Sequence, residues 1–219
     1  MTVTPEAPPS QLSAPIAPGS DCTAAFRAAY ENRYTWESGF AGYAGRCSWQ
    51  QGERTVAGTF QLGADLKASL EGIDDAEIHK ALASQLWEVA IHRVRRSFEQ
   101  THGANSFSAG DTDAVGTEVI VGGKGEGDRY RIKGDVVTIF TESTTDTGSG
   151  YLSRSYTSRY SDPATGEAKG GISRFTDTFV PLTEAGPWVL SERVVESEAH
   201  GDAPAGRQVF RFEDLVPLG

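Results

Sequence analysis

Apolar and polar residues alternate along three consecutive runs between residues 43 and 71, and a Gln51-Gly52 turn follows the first run. The apolar positions of the three runs are Tyr43, Cys47 and Trp49, then Val56, Phe60 and Leu62, then Leu66, Ala68 and Leu70. A period of two predicts strands that each bury one face and leave the other in water. We therefore expect an antiparallel meander in this part of the chain.

The segment after the meander has the spacing of a long helix that runs from Asp74 to His102. Asp74 can cap this helix with Glu77 as its partner in a capping box, and Gly103 follows the last turn. The apolar stripe changes direction near Leu86, where later apolar residues lie more than about 90° from the earlier ones. We expect either a bend near Leu86–Glu88 or two halves that pack against different surfaces.

Strand-forming sequence returns from Asn105 onward, and Asp21 can cap a first helix that carries Phe26 and Tyr30 and ends near Tyr34. The later strand-like segments are TEVIVGG, DRYRIKG, DVVTIFTES, GYLSRSYTSRYS, GGISRFTDTFVPL, PWVLSERVVES and RQVFRFEDL, with hairpin connectors at 133–135 and 161–167. About ten strands without a βαβ rhythm predict an α+β fold. We expect one large curved antiparallel sheet, a half-barrel or barrel, with an N-terminal helix and a long inserted helix covering one face.

The first twenty residues differ in composition from the rest, since they hold five of the ten prolines and no aromatic residue. Such a segment cannot bury enough apolar area to offset the entropy of ordering it. We therefore predict a disordered Pro-rich tail over residues 1–20 and a single α+β domain over residues 21–219.

Charged residues make the chain strongly acidic, with 20 Lys and Arg against 30 Asp and Glu and a formal net charge of −10. A surface of that sign repels phosphate backbones, which argues against a nucleic-acid partner. No stretch reaches the roughly 20 apolar residues of a membrane-spanning helix, and the start lacks the features of a signal peptide. Cys22 and Cys47 have neither a disulfide-framework nor a metal-type spacing. These features together predict a cytoplasmic protein.

Four segments of the chain are distinctive: AFRAAYENRYTW, QLWEVAIHRVRRSFEQTHG, VGGKGEGDRYRI and DTGSGYLSRSYTSRYSDPATGEAKGG. They resemble an uncharacterised family of cyanobacteria and plastid-bearing organisms that is known only as a domain of unknown function. The resemblance covers residues 24–200 and implies a soluble protein of a photosynthetic cell, but it implies no reaction. A weaker, architectural likeness is to lipoprotein-carrier half-barrels, which hold acyl chains against a concave sheet; it implies shape alone.

The segment LWEVAIHRVRRSFEQTH concentrates cations in an otherwise acidic chain. On a continuous helix, Glu88, His92, Arg95, Arg96 and Glu99 would share one side, because their spacings are those of neighbouring turns. That pattern is typical of a solvated ladder of ion pairs, each worth about 0.3–0.5 kcal/mol. It also fits an anion site, in which two guanidiniums and an imidazole hold a carboxylate or phosphate, and it fits a docking surface for a partner.

We take His92, Arg95, Arg96, Glu99 and Trp87 as the candidate ligand-binding residues. Elsewhere the sequence has no G-x-S-x-G elbow, and GGKGEG lacks the phosphate-loop patterns and lies between predicted strands. Arginines beside His92 oppose the binding of a metal ion. We therefore assign no catalytic residue, no metal and no cofactor, and we leave the enzyme class open while disfavouring it.

Three functions follow from these observations. The first is a non-catalytic binding or carrier protein for an apolar or amphipathic small molecule, such as a lipid or a tetrapyrrole-type pigment, in a photosynthetic cell. His92, Arg95 and Arg96 would then anchor an acidic group of that molecule. The second is an assembly or interaction factor that docks a photosynthetic protein, and the third is an enzyme without a recognised motif.

Overall fold

The computed structural model describes residues 21–138, 141–161 and 168–219. The predicted tail over residues 1–20 and most of the predicted connector at 161–167 lie outside these ranges. Within them the helices are α1 (Cys22–Glu31), α2 (Ala76–Ile91) and α3 (Phe98–His102). The strands are β1 (Gly42–Gln51), β2 (Arg54–Gly63), β3 (Ala68–Glu71), β4 (Asn105–Thr112), β5 (Thr117–Gly123), β6 (Arg129–Lys133), β7 (Val136–Val137), β8 (Ser143–Asp146), β9 (Tyr151–Ser161), β10 (Ala168–Pro181), β11 (Trp188–Ser197) and β12 (Gly206–Pro217). Antiparallel strands with an N-terminal helix confirm the predicted α+β class.

The chain divides into two compact units, each built from two separate stretches of sequence. Unit 1 comprises Met1–Tyr34 and Arg96–Tyr156, and unit 2 comprises Thr35–Arg95 and Thr157–Gly219. The strands form an eight-stranded sheet in the order β3-β2-β1-β12-β11-β10-β9-β8 and a four-stranded sheet in the order β4-β5-β6-β7. The smaller sheet is an addition to the large antiparallel sheet that the sequence predicts.

The meander predicted from the alternation is present in unit 2 as β1, β2 and β3. Tyr43 pairs with Leu62, and Phe60 pairs with Leu70, so the apolar positions of neighbouring strands share one face. On the other side of β1 the partner is β12, where Trp49 pairs with Phe210. Strand β12 therefore lies between β1 and β11, in the middle of the sheet.

Helix α2 covers the apolar face of this sheet in unit 2, where it contacts β1, β3 and β11. Its N-cap is Asp75, one residue after the predicted Asp74, and the Asp75 carboxylate accepts hydrogen bonds from the backbone N–H groups of Glu77 and Ile78. Satisfying the first N–H groups of a helix in this way fixes where it begins. The apolar stripe that α2 turns inward consists of Ile78, Leu82, Leu86 and Val89, all at most 5% exposed.

Unit 1 is built around an aromatic core between α1, α3 and the four-stranded sheet. The predicted N-cap Asp21 is confirmed, since its carboxylate accepts from the backbone N–H groups of Thr23 and Ala24. The helix ends at Glu31, somewhat before the predicted end near Tyr34. Phe26 is fully buried, and its ring lies 5.6 Å from that of Phe98 at the start of α3.

None of the described helices combines the length and the apolar character that a membrane crossing requires. Strand β4 begins at Asn105, where strands are expected to return, but NSFSAGDT and the STTD of β8 are almost entirely polar or small and are not among the strand-like segments identified from the sequence. Strand β4 is positioned by β5, in which Val119 and Val121 are buried and whose backbone pairs with β4 from Asn105↔Gly123 to Thr112↔Thr117.

Candidate functional site

The five residues predicted to bind a ligand are all exposed. Trp87 lies on α2 with 52% of its side chain accessible, and His92 is the C-cap residue of that helix. Arg95 and Arg96 lie in the segment between α2 and α3, and Glu99 lies in the first turn of α3. As a ligand site these residues stay a prediction, and the structure changes how they are grouped.

The long helix predicted from Asp74 to His102 is wrong, because two helices take its place. Helix α2 ends at Ile91, where the N–H groups of His92 and Arg93 turn back to the carbonyls of Val89 and Ala90. A new helix begins after Ser97, which forms a capping box with Gln100: the Ser97 Oγ accepts from the Gln100 N–H at 3.1 Å, and the Gln100 side chain accepts from the Ser97 N–H at 2.9 Å. Such reciprocal capping starts a helix at a defined residue.

The change of direction in the apolar stripe reflects this break. Leu86 and Val89 pack in unit 2, whereas Phe98 belongs to the core of unit 1. Of the two alternatives left by the sequence, packing against different surfaces is confirmed for Phe98, whereas Trp87 and Val94 are 52% and 40% exposed. The interruption falls at residues 92–97, a few residues after the expected position near Leu86–Glu88.

The five candidates consequently share no helix face. Trp87, His92 and Arg95 belong to unit 2, and Arg96 and Glu99 belong to unit 1. The predicted ladder within one helix is replaced at Glu99 by an ion pair with Arg27 of α1. The guanidinium of Arg27 also lies 4.6 Å from the centre of the Phe98 ring. Arg27 of α1 therefore contacts both Phe98 and Glu99 of α3, and these contacts stabilise the packing of the two helices.

The turn that follows α2 is held to the segment at residues 35–36 of unit 2. The Nε of Arg95 donates to the Thr35 hydroxyl at 3.2 Å, and the Trp36 N–H donates to the Arg93 carbonyl at 2.8 Å. The Trp36 indole N–H in turn donates to the carbonyl of Trp188 at 3.0 Å. Arg95 is thereby held at the surface beside the end of α2.

Arg93 is the cation of this segment that points inward. It is 8% exposed, and its guanidinium carbon lies 5.7 Å from the centre of the Phe179 ring. In the sequence Arg93 is one of three arginines within four residues. No periodic signal separated it from Arg95 and Arg96, because helical spacing does not apply after His92.

A buried ion pair on the apolar face of the unit 2 sheet was missed by sequence analysis. Arg193 of β11 and Asp177 of β10 stand opposite each other in register, and each is 2% exposed. Two parallel hydrogen bonds of 2.7 Å run from Nε and Nη2 of Arg193 to the two oxygens of Asp177. The sequence did contain a signal for this pair, because Asp177 lies two residues from Phe175 and two from Phe179, and both phenylalanines are buried. The parity of the strand therefore places the carboxylate on the buried face.

Helix α2 completes the surroundings of this pair. The Nη1 of Arg193 donates to the Gln85 side chain at 3.0 Å and lies 3.2 Å from the Glu88 carboxylate. Burial raises the pKa of Asp177, and the Arg193 guanidinium opposes that change by favouring the ionised carboxylate. Buried charges are tolerated where they are paired and hydrogen-bonded in this way. The cluster therefore anchors α2 to the sheet.

The apolar residues on the inner side of α2 and in the middle of the large sheet are inaccessible to solvent. Leu82 and Leu86 of α2 and Leu62, Phe210 and Phe212 of the strands are between 0% and 1% exposed. A hollow that admits water or a ligand would leave the side chains around it accessible. These five residues are instead inaccessible.

The remaining chemistry-bearing groups are a buried cysteine and the glycine-rich GGKGEG segment. Burial raises the pKa of Cys47 to about 11, so the thiol stays protonated, in agreement with the predicted core position. Within the described part of the chain, no three His, Cys, Asp or Glu side chains lie together as metal ligands would. The GGKGEG loop connects β5 to β6, as predicted.

Comparison with known proteins identifies the family of the chain and two solved structures of low similarity. No curated protein matches the chain. A chain in the complex structure of Pseudomonas aeruginosa MucA/MucB is 12% identical with a TM-score of 0.21, over 91% of this chain and 100% of that one. A chain in the crystal structure of MucB in complex with MucA(peri) is 11% identical with the same TM-score and the same coverage. Residues 17–218 match a family of proteins of unknown function (DUF3386), and the chain therefore belongs to that family.

Proposed function

We propose that this protein is a non-catalytic binding protein that docks a partner protein through a surface of unit 2. This surface consists of Trp87, His92 and Arg95, and we call it the Trp87 surface. The proposal depends on the exposure of Trp87, which leaves 52% of its side chain accessible on a helix whose opposite side is fully packed. Tryptophan and arginine are the residue types that supply much of the energy in protein interfaces.

The setting of Arg95 favours binding of another molecule. Its hydrogen bond to Thr35 and the backbone bond between Trp36 and Arg93 hold the turn in place. A side chain that is already held loses less conformational entropy when a partner binds. The Trp87 surface is therefore partly organised in advance.

Charge indicates the chemistry of the partner. The chain carries a net charge of −10, yet His92 and Arg95 follow Trp87 within eight residues, and the one carboxylate among them, Glu88, is directed to the buried Arg193. A guanidinium binds carboxylates in a bidentate geometry. We expect the partner to present an apolar pocket for the indole with acidic side chains beside it.

A small-molecule carrier is the function that the sequence favoured first, with a lipid or a tetrapyrrole as cargo. That role requires a hollow next to its anchors, whereas Arg95 and Arg96 are exposed and the described apolar residues under α2 are packed. Carrier activity, an origin in a photosynthetic cell and a cytoplasmic location all stay predictions. The experiment below distinguishes carriage from docking.

The test is to cross-link the tagged full-length protein in its own host and analyse proteins and extracted small molecules together by mass spectrometry. The protein that is recovered is then purified, and its Kd is measured for wild type, Trp87→Ala, Arg95→Glu and Val216→Ala. Val216 is the matched control, because it is 54% exposed in the same unit and lies outside the Trp87 surface.

We expect Trp87→Ala and Arg95→Glu to raise the Kd at least about tenfold, which corresponds to roughly 1.4 kcal/mol. Val216→Ala should leave it within about twofold, since it lies outside the contact. Equal affinity of Trp87→Ala and wild type would overturn the proposal. Recovery of a stoichiometric small molecule, with no protein that depends on Trp87, would favour the carrier.

A further inference from the structure

Strand β4 of unit 1 is an edge strand with unusual length. It spans eight residues, Asn105–Thr112, and pairs on one side with β5. The other edge strands of the two sheets are shorter, with four residues in β3, two in β7 and four in β8. An edge strand presents backbone N–H and C=O groups to any chain that can pair with it, and short edges limit that risk.

The sequence of β4 lacks the lysine and proline residues that most often protect an edge, and its one charged side chain, Asp111, lies where the pairing with β5 is irregular, between Ala109 and Thr112. NSFSAGDT has no lysine, arginine or proline, and five of its eight residues are exposed. At the same time the strand is firmly positioned, because the Phe107 ring lies 5.1 Å from that of Phe26 in the core of unit 1. Because β4 is already ordered, it loses little conformational entropy when another strand pairs with it.

A groove lies along the outer face of β4 and β5. It has a volume of about 750 Å³ and is lined by Ser106 and Ser108 of β4, by Ile120 of β5 and by the loop at residues 126–129. Ile120 is 48% exposed, although Val119 and Val121 beside it are buried. The groove therefore offers one apolar contact next to an open strand.

The charges of the groove are mainly negative. Its walls carry the carboxylates of Glu118, Glu126 and Asp128 against the single guanidinium of Arg129, which pairs with Glu118 at 3.4 Å. The Glu118 side chain extends over β4, since a Cβ placed on Gly110 would lie 2.6 Å from its carboxylate oxygen. An occupant with Lys or Arg side chains is complementary to this arrangement.

From these observations we propose that the β4 edge binds an extended basic segment of a partner protein by strand addition. The backbone of that segment pairs with β4, and every second side chain lies on the face that carries Ser106, Ser108 and Ile120. Side chains of the segment on this face lie beside Ser106 and Ser108, and long basic ones reach the Glu118 carboxylate, which extends over β4. This surface lies in unit 1 and is independent of the Trp87 surface.

The test uses three synthetic ten-residue probes and the full-length protein. The first probe alternates Lys and Val, the second alternates Glu and Val, and the third is the Lys-Val probe with N-methyl groups on every second backbone nitrogen. Affinities are measured by calorimetry for wild type, for Ser108→Lys at the β4 edge and for Ser69→Lys. Ser69 is a matched control, because it is an exposed serine on the edge strand β3 of unit 2.

We expect the Lys-Val probe to bind at least about tenfold more tightly than the other two probes, because only it combines basic side chains with backbone donors. Ser108→Lys should weaken its binding by a similar factor, and Ser69→Lys should not. Equal binding of the methylated and unmethylated probes would show attraction by charge alone and overturn the proposal. The proposal would also be overturned if the Lys-Val probe did not bind. It would be overturned as well if the protein formed a dimer that Ser108→Lys dissociates.

Discussion

Replacing Asp177 by asparagine tests whether the buried ion pair holds α2 to the sheet. Asp177→Asn keeps the size of the side chain and removes its charge, so Arg193 loses the carboxylate that accepts both of its 2.7 Å hydrogen bonds. Because Arg193 is 2% exposed, water cannot replace the lost partner. The variant should therefore lower the free energy of unfolding of unit 2.

The expected decrease in the free energy of unfolding depends on the contacts that Arg193 keeps in the variant. Removing one partner of a buried pair costs about 3–5 kcal/mol, because an uncompensated charge stays in the interior. Glu88 lies 3.2 Å from Nη1 of Arg193 and its side chain is 30% exposed, so it retains part of the compensation. We expect the lower end of the range, about 3 kcal/mol.

The pair formed by Glu192 and Arg211 provides a matched control. It joins β11 to β12 at 2.9 Å, one residue from Arg193, but both side chains are 37% exposed. Glu192→Gln should therefore cost no more than about 1 kcal/mol. All four tryptophans lie in unit 2, so urea unfolding followed by tryptophan fluorescence reports this unit. If Asp177→Asn costs no more than Glu192→Gln, the buried pair does not anchor the helix.

Two further predictions concern a buried histidine and a packed glycine. Burial among aromatic rings, with a contribution from Arg33, lowers the pKa of His102, so unit 1 should be fully stable above about pH 6.5 and lose stability as the pH falls below it. Magnetic resonance of unit 1 amides during urea unfolding at several pH values measures this, and His102→Phe should reduce the dependence. Gly58→Ala should cost about 1–3 kcal/mol, because a Cβ there would lie 2.2 Å from the Glu71 carbonyl oxygen. Gly170→Ala, with open space around it, should change the urea midpoint little, and equal shifts would contradict the steric explanation.

The strand pattern could be predicted from the sequence because side chains of a strand alternate between two faces wherever it pairs. This regularity placed Tyr43, Cys47 and Trp49 on the buried face of β1. Applied to β10, the same regularity also places Asp177 between Phe175 and Phe179, although a lone carboxylate in such a pattern does not reveal its partner. Arg193 is sixteen residues away and is identified only by the register of β10 and β11.

The helix break and the grouping of the site could not be predicted in the same way. Residues 92–97 include good helix formers, and the chain leaves the helix there because Phe98 packs in a different core from Leu86. The helical wheel that grouped His92, Arg95, Arg96 and Glu99 assumed a continuous helix. Once α2 ends at Ile91, that spacing no longer determines which side chains are neighbours.

The central position of β12 has a consequence for biosynthesis. Gln50 and Arg211, which hydrogen-bond across β1 and β12, are 161 residues apart in the chain. While the nascent chain is on the ribosome, β1 and β11 each lack a neighbour until β12 has emerged. The large sheet therefore cannot be completed before β12 (Gly206–Pro217) has been synthesised, and until then the unpaired edges of β1 and β11 must be kept from aggregating.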